Sequence, residues 1–498
     1  MEIGTLISLS GYFLLMLGIG LYAFRDASES SSGYLLGGRQ LGPAVTALSA
    51  GASDMSGWMV MGLPGAMYLT GLPNIWIAIG LIVGAYSNYL IVAPRLRAYT
   101  ELAKDSITLP EFFENRFEDK TRLLRIVSSI VIIVFFTVYT SSGVVGGGKL
   151  FESSFGLSYE LGLYVTAGVV VIYTLFGGFL AVSLTDFVQG CIMLVALVLA
   201  PIAILFDFGG YNSVSDTILR LTPSHLDAFS GVTLLGIISS LAWGLGYFGQ
   251  PHIVVRFMAI RSLRDIKVAR RIGMSWMVVA LIGAMATGLL GLAYVEKNAI
   301  VVNDSETIFI VLSQFLFHPL IGGFMLAAIL AAIMSTVSSQ LLVTSSSLTE
   351  DIYRIFINKE ANDKHLVFVS RVCVALVALI AIALAHTRDS SILDIVANAW
   401  AGFGAAFGPL IVLSLYWKRM TFLGALAGIV VGAVTVLVWI YSPLTIGGEA
   451  LGGVVYEIVP GVVLSTLAII AVSLFDREPS DSIKSIFKSM LKTLKEQR

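Results

Sequence analysis

Apolar stretches at roughly 3–24, 43–70, 73–94, 125–149, 158–180, 184–206, 231–256, 273–295, 318–348, 366–386, 391–416, 421–441 and 453–475 alternate with polar connections along the chain. Each is about 18 residues or longer, enough for a helix to cross the hydrocarbon core of a bilayer, so the pattern predicts thirteen transmembrane helices. The longest polar connection, about 95–124, contains Leu109-Pro110-Glu111-Phe112-Phe113-Glu114-Asn115-Arg116-Phe117, which predicts a short amphipathic helix at the interface. The tail 476–498 spaces Lys484, Lys488, Lys492 and Lys495 along a helix and reads as a solvated basic face near anionic lipid. No soluble domain fits in what remains.

Composition agrees: 498 residues, 57% hydrophobic and 13% charged, with a mean hydropathy of +0.88, lie well outside soluble-globular norms. Charge sets the orientation. With the N-terminus outside, inside segments hold 27 of the 31 Lys and Arg residues: Arg25, Arg39, and those within 95–125, 256–271, 354–371, 418–419 and 477–498. Lys149, Arg220, Lys297 and Arg388 remain outside, a strong positive-inside asymmetry. The first run carries Glu2 rather than a basic n-region and is too long for a signal peptide, so it reads as a retained helix.

Chemistry is sparse and therefore informative. Cys191 and Cys373 sit singly inside apolar runs, and His225, His252, His318, His365 and His386 are scattered over loops and helix ends without metal-ligand spacing. No phosphate loop, catalytic triad or paired-carboxylate site is recognisable, which argues against an enzyme and leaves an ion gradient to drive any uphill transport. The exception is Asp54 within Ser49-Ala50-Gly51-Ala52-Ser53-Asp54-Met55-Ser56-Gly57-Trp58. An ionised Asp at mid-membrane costs roughly 2.5–3.5 kcal/mol, so it persists where it faces the protein interior and meets a partner such as a cation. No Lys or Arg lies nearby in sequence, and Gly51, Gly57, Gly62 and Pro64-Gly65 weaken the helical ladder. That combination predicts an ion site at a broken helix.

Two further segments complement it. Ala327 through Gln340 is a run of small residues that turns into a hydroxyl cluster at Ser335, Thr336, Ser338 and Ser339. Hydroxyls and freed carbonyls suit a hard cation such as sodium that must also be released, whereas Ser338, Ser345, Ser346 and Ser347 read as small residues that let helices approach. In Trp243-Gly244-Leu245-Gly246-Tyr247-Phe248-Gly249-Gln250-Pro251-His252, helical spacing puts Trp243, Tyr247 and Pro251 on one face beside glycines. Alone this is core packing or the wall of a site for a small, partly apolar ring; a lone Gln250 is too few polar groups for a polyol. The spaced Gly424, Gly428 and Gly432 read as tight packing within the monomer rather than a dimer face.

These segments, together with Leu36-Gly37-Gly38-Arg39, Phe117-Glu118-Asp119-Lys120, the surroundings of Tyr139, Gly177-Gly178-Phe179 and Ala401 through Pro409, resemble the solute:sodium symporter family nearly end to end. The words Gly51 through Trp58 and Trp243 through Pro251 are closest to its proline branch. The resemblance implies an all-α integral membrane protein of leucine-transporter type: a first helix and inside loop (1–42), two inverted repeats of five helices (43–206 and 231–416), two more helices (417–475) and a cytoplasmic tail (476–498). It implies a bacterial inner-membrane transporter that couples inward sodium movement to uptake of L-proline by alternating access, without organic cofactor or nucleic-acid partner. The rival reading is a symporter for another small solute such as pantothenate, a sugar, sialic acid or acetate. Sodium is then expected at the carbonyls of Ala52, Met55 and Ala332 and the hydroxyls of Ser335 and Thr336, with Asp54 nearby. Proline is expected among Ser56, Gly57, Tyr139, Trp243, Tyr247 and Pro251. Asp186, on a short inside turn after the fifth helix, and Arg39 are expected to act in sodium release or gating. Ser339 and Thr344 stand where the family pattern suggests cysteine, and neither removes an expected ligand.

Overall fold

A computed structural model describes residues 2–27, 30–386 and 391–497, with the side chains of 24–27 and 31 left out, so the side chain of Arg25, and all of Arg388 and Arg498, lie outside the described residues. The molecule is helical, and among the described residues ten helices are long and apolar enough to cross a membrane. In hydrocarbon every backbone N–H and C=O needs an internal partner, which the helix supplies. Ser158, Thr233, Asn362, Ser391 and Thr421 cap helix N-termini by accepting the N–H of the residue three positions on.

Where the pattern predicted two helices, at 158–180 and 184–206, one 49-residue helix, Tyr159–Asp207, runs through. Its bend lies at Gly178, at φ 55° and ψ −150°, where an added Cβ would come within 2.7 Å of Tyr34. Only glycine fits both demands. Asp186 accordingly sits inside a helix rather than on a turn, and is fully buried.

Two apolar runs are broken. The first is helical over Pro43–Asp54, leaves helical geometry at Met55 (φ −81°, ψ 76°), and resumes through a wide π-turn at Trp58–Gly62 into Leu63–Thr70. The second is helical over Leu234–Leu241, tightens to a 3-10 helix over Ala242–Phe248, passes through extended Gln250 and restarts at Pro251–Ala259. Proline at the restart lacks an N–H and biases the preceding residue away from helix, which fixes the break there. Closeness matters as much: a Cβ on Gly84 would lie 2.1 Å from the Gly244 carbonyl, so the helix Ile75–Ser87 packs backbone-to-backbone against the 3-10 segment.

The helix Pro319–Ser346 is the centre of the bundle, with every residue from Met325 to Ser346 buried. A helix covered on all sides needs no polar face, which is why its small and hydroxyl residues show no amphipathic stripe. Gly424, Gly428 and Gly432 pack against Ser473, Ile469 and Ala405 of the same chain.

Packing adds cover that local pattern does not specify. The aromatic side of the helix Leu109–Phe117 is covered by protein: Leu109, Phe112, Phe113, Arg116 and Phe117 are buried. The tail is a helix, Asp481–Glu496, whose apolar side docks: Ile483, Phe487 and Met490 are buried, with Phe487 against Tyr99, while Lys488, Lys492 and Lys495 stay exposed as their spacing predicts. Arg256, counted with the basic loops, is fully buried within Pro251–Ala259, and His252, at the start of that helix, is buried as well.

Candidate functional site

The first break brings backbone oxygens to the hydroxyl cluster of the central helix. Ser335 Oγ donates to the Ala52 carbonyl at 2.7 Å and lies 3.1 Å from the Ala332 carbonyl. Thr336 Oγ1 reaches the same two carbonyls at 3.5 and 3.3 Å. Four of the five expected sodium ligands therefore form one compact set of oxygens. The fifth, Met55, is buried at the break, and the Met59 N–H bonds the Ser56 carbonyl at 3.0 Å in place of that of Met55. Hydroxyls can rotate their hydrogens outward and present lone pairs to a cation, so this set fits a hard ion with little fixed charge.

Asp54 borders that set without bonding to it. Its side chain is buried; Oδ2 accepts a short hydrogen bond from the Tyr247 hydroxyl, and Oδ1 has no partner. No cation among the described residues pairs with it. The carboxylate lines a cavity of about 30 Å³, room for one water-sized group, together with Gly51, Met55, Asn88 and Tyr247. Asn88 Oδ1 is also unpartnered there, while its amide donates to the Tyr247 carbonyl at 2.9 Å. Two buried acceptors without donors at one small cavity are costly unless something positive joins them.

Tyr247 links this spot to an aromatic wall. Trp243 lies 6.3 Å from Trp58, 6.5 Å from Trp400 and 5.4 Å from Tyr456, ring centre to ring centre, and Tyr247 packs edge-on against Trp400 at 5.2 Å. Ser56 and Gly57 are buried in the break, and Tyr139 is buried beside Ser56 without meeting it in hydrogen-bond geometry. Pro251 does not join the group. Because the segment is 3-10 and then broken rather than continuously α-helical, i, i+4, i+8 spacing no longer holds, and Pro251 lines a separate small cavity with Leu35, Thr108 and Ser346. The sequence reading missed Asn88, Trp400 and Tyr456. Trp400 directly precedes the segment Ala401 through Pro409, whereas Tyr456 and Asn88 left no local signal.

Asp186 and Arg39 belong to other networks. Asp186 Oδ2 accepts from Ser49 Oγ (2.8 Å), Arg256 Nη2 (3.1 Å) and Ser339 Oγ (3.3 Å), and Arg256 also donates to the His252 carbonyl at 2.6 Å. This cross-links the first broken helix, the long helix, the second broken helix and the central helix. Ser339, read as a bland departure from pattern, is a member of it. Arg39 donates to Asp105 Oδ1 (2.8 Å), the Met258 carbonyl (2.7 Å) and the Ser106 carbonyl (2.7 Å) and ties loops at the basic end of the bundle. Burial lowers the Arg39 pKa, and the Asp105 carboxylate works against that shift. Among the described residues no cluster of His, Cys, Asp and Glu could hold a metal.

The chain is 57% identical over its whole length, and the whole of the relative, to the osmoregulated proline transporter OpuE of Bacillus subtilis (strain 168). It is 54% identical to the sodium/proline symporter of Staphylococcus aureus (strain JH9), over 97% of this chain and 94% of that one. Among solved structures, a Na+-coupled sialic acid symporter in a substrate-bound outward-open state superposes with a TM-score of 0.80 at 20% identity, over 96% of this chain and 99% of that one. Mhp1, a nucleobase-cation-symport-1 family transporter in a closed conformation, superposes at 0.56 and 12% identity, covering 93% and 98%. The family model described as the sodium:solute symporter family matches residues 34–432, and the chain belongs to that family.

Proposed function

We propose that this protein is a sodium-coupled L-proline importer of the bacterial inner membrane. The observation that carries the reading is the meeting of the Ser335 and Thr336 hydroxyls with the Ala52 and Ala332 carbonyls at a helix break whose next carboxylate, Asp54, has no cation. Names carried by relatives at 54–57% identity over nearly the full length supply the solute. Sodium binds at Ala52, Met55, Ala332, Ser335 and Thr336 with Asp54 alongside, and proline among Ser56, Gly57, Tyr139, Trp243 and Tyr247.

Thirteen crossings follow when the helix Tyr159–Asp207 counts twice at its Gly178 bend and the two broken helices count as one each. The repeats are 43–206 and 231–416, flanked by 1–42, 417–475 and 476–498, with the N-terminus outside and the basic loops and tail inside. The two broken segments occupy corresponding first positions of the repeats, as expected for sites built at half-helix ends.

Coupling follows from linkage. Sodium at the first break fixes residues 52–56, and the same segment's free amides and Ser56 hydroxyl then meet the proline carboxylate. Each ligand raises the other's affinity by one shared coupling energy. One sodium per proline supplies about 2.3 kcal/mol per 100 mV plus about 1.4 kcal/mol from a tenfold gradient, enough for roughly several-hundred-fold accumulation.

Uptake of labelled proline into proteoliposomes, with and without an imposed inward sodium gradient, tests the function. Gradient-dependent accumulation is the expected result. Displacement of labelled proline by pantothenate or glucose at concentrations comparable to proline would keep the ion and overturn the solute.

A further inference from the structure

At the basic end of the bundle a cavity of about 530 Å³ opens between the docked tail helix, the helix Ala93–Leu102 and the start of Asp265–Lys297. Five cations line it, Arg95, Arg264, Lys267, Arg270 and Lys495, and none of its lining residues is acidic. The carboxylates nearest in sequence are already engaged: Asp265 by Arg261 at 2.6 Å, Glu101 by Arg97 at 2.6 Å and Glu496 by Lys492 at 3.7 Å. Among the described residues none of the five cations makes an ion pair. Arg95 is held rigid, its guanidinium 3.7 Å over the Tyr416 ring and donating to the Leu415 carbonyl at 2.9 Å. A fixed guanidinium with donors left over is a ready partner for a phosphate.

Apart from Gln497, the rest of the lining is aliphatic or aromatic. Leu90 and Tyr416 carry the cavity wall out to the surface of the bundle, where each is more than two-fifths exposed, and Leu491 and Leu494 of the tail close the other side. A soluble anion has no use for such a wall, whereas a diacyl phospholipid does: its phosphodiester meets the cations at headgroup depth while its acyl chains lie along the leucines.

We propose that this cavity binds an anionic phospholipid through its phosphodiester, and that the lipid clasps the tail helix to the transmembrane bundle. None of the five cations lines the Asp54 cavity, so failure of this proposal is distinguishable from failure of the sodium or solute sites.

Full-length protein purified in detergent is given an equimolar mixture of dioleoylphosphatidylglycerol and dioleoylphosphatidylcholine, and retained lipid is read by native mass spectrometry. Phosphatidylglycerol should exceed phosphatidylcholine by about tenfold, as expected from several cations acting on one headgroup. Arg264→Gln/Lys267→Gln/Arg270→Gln should remove most of that preference. Should that variant be poorly folded, the milder Lys267→Gln/Lys495→Gln, at exposed positions, should still reduce it. The control Lys359→Gln/Lys364→Gln, changing exposed cations elsewhere, should keep it. Equal retention of the two lipids, or a preference that survives both cavity variants, overturns the proposal. Complete displacement of phosphatidylglycerol by inorganic phosphate alone would assign the cavity to a soluble anion and overturn it as well.

Discussion

Asp54 and Asp186 are both buried carboxylates close to the first broken helix, yet their surroundings differ in one respect that separates their roles. Asp186 receives a guanidinium and two hydroxyls. Asp54 receives one phenol and no cation among the described residues; each carboxylate leaves its Oδ1 without a donor, so the guanidinium is what separates them. Burying a carboxylate is unfavourable unless charge and hydrogen bonds replace water. Arg256 meets that requirement permanently for Asp186, so the Asp186 pair can act as a fixed cross-link between four helices. Asp54 has no such cation among the described residues, which is the feature on which the proposed sodium site rests.

The largest effect should come from the unpaired member. Asp54→Asn removes the charge without disturbing helix packing, and sodium-driven uptake should fall by about a hundredfold or more, the scale for losing one partner of a buried ion pair. Asp54→Glu should retain a little activity. Proteoliposome uptake on protein of normal yield checks this, and full activity in the Asn variant would erase the distinction between the two carboxylates.

The paired member should respond in stability first. Arg256→Met leaves Asp186 buried without its cation and should cost roughly 3–5 kcal/mol, seen as a lowered unfolding temperature in detergent. Adding Asp186→Asn should restore much of that loss, because no uncompensated charge remains. A single variant as stable as wild type would show that the pair is not a cross-link.

Smaller effects sharpen the ion site. Ser335→Ala and Thr336→Ala should each raise the sodium concentration for half-maximal uptake by about tenfold, roughly the worth of one or two hydrogen-bond-strength contacts. Proline affinity at saturating sodium should stay unchanged; a shift there would move these residues to the solute. Truncating Tyr139, Trp243 or Tyr247 should do the reverse, weakening proline binding without changing sodium binding measured in its absence. Smallest of all, Ser339→Ala deletes one of several donors to Asp186 and should cost only about 0.5–1.5 kcal/mol in thermal unfolding.

Much of this architecture was legible in the chain. The apolar runs located the membrane helices, since span length is set by bilayer thickness and not by neighbours. Asp54 stood out for the same reason: a lone carboxylate among apolar residues is conspicuous without any structure. The hydroxyl cluster at Ser335 and Thr336 was visible as composition, and the resemblance to a family assigned it a role.

What the sequence could not decide was every pairing across helices. Asp186 and Arg256 lie 70 positions apart, and nothing local says that one neutralises the other; only helix packing brings them together. Tyr247, 193 positions from Asp54, is likewise a partner that tertiary structure alone assigns. Pro251 left the aromatic wall because spacing arguments assume an unbroken helix, and which protein surfaces cover the apolar sides of 109–117 and 481–496 is not written in those segments. Period and composition fix which residues leave water, because hydrophobicity acts on each residue separately. Which of them meet depends on how helices cross, and that is a property of the whole bundle.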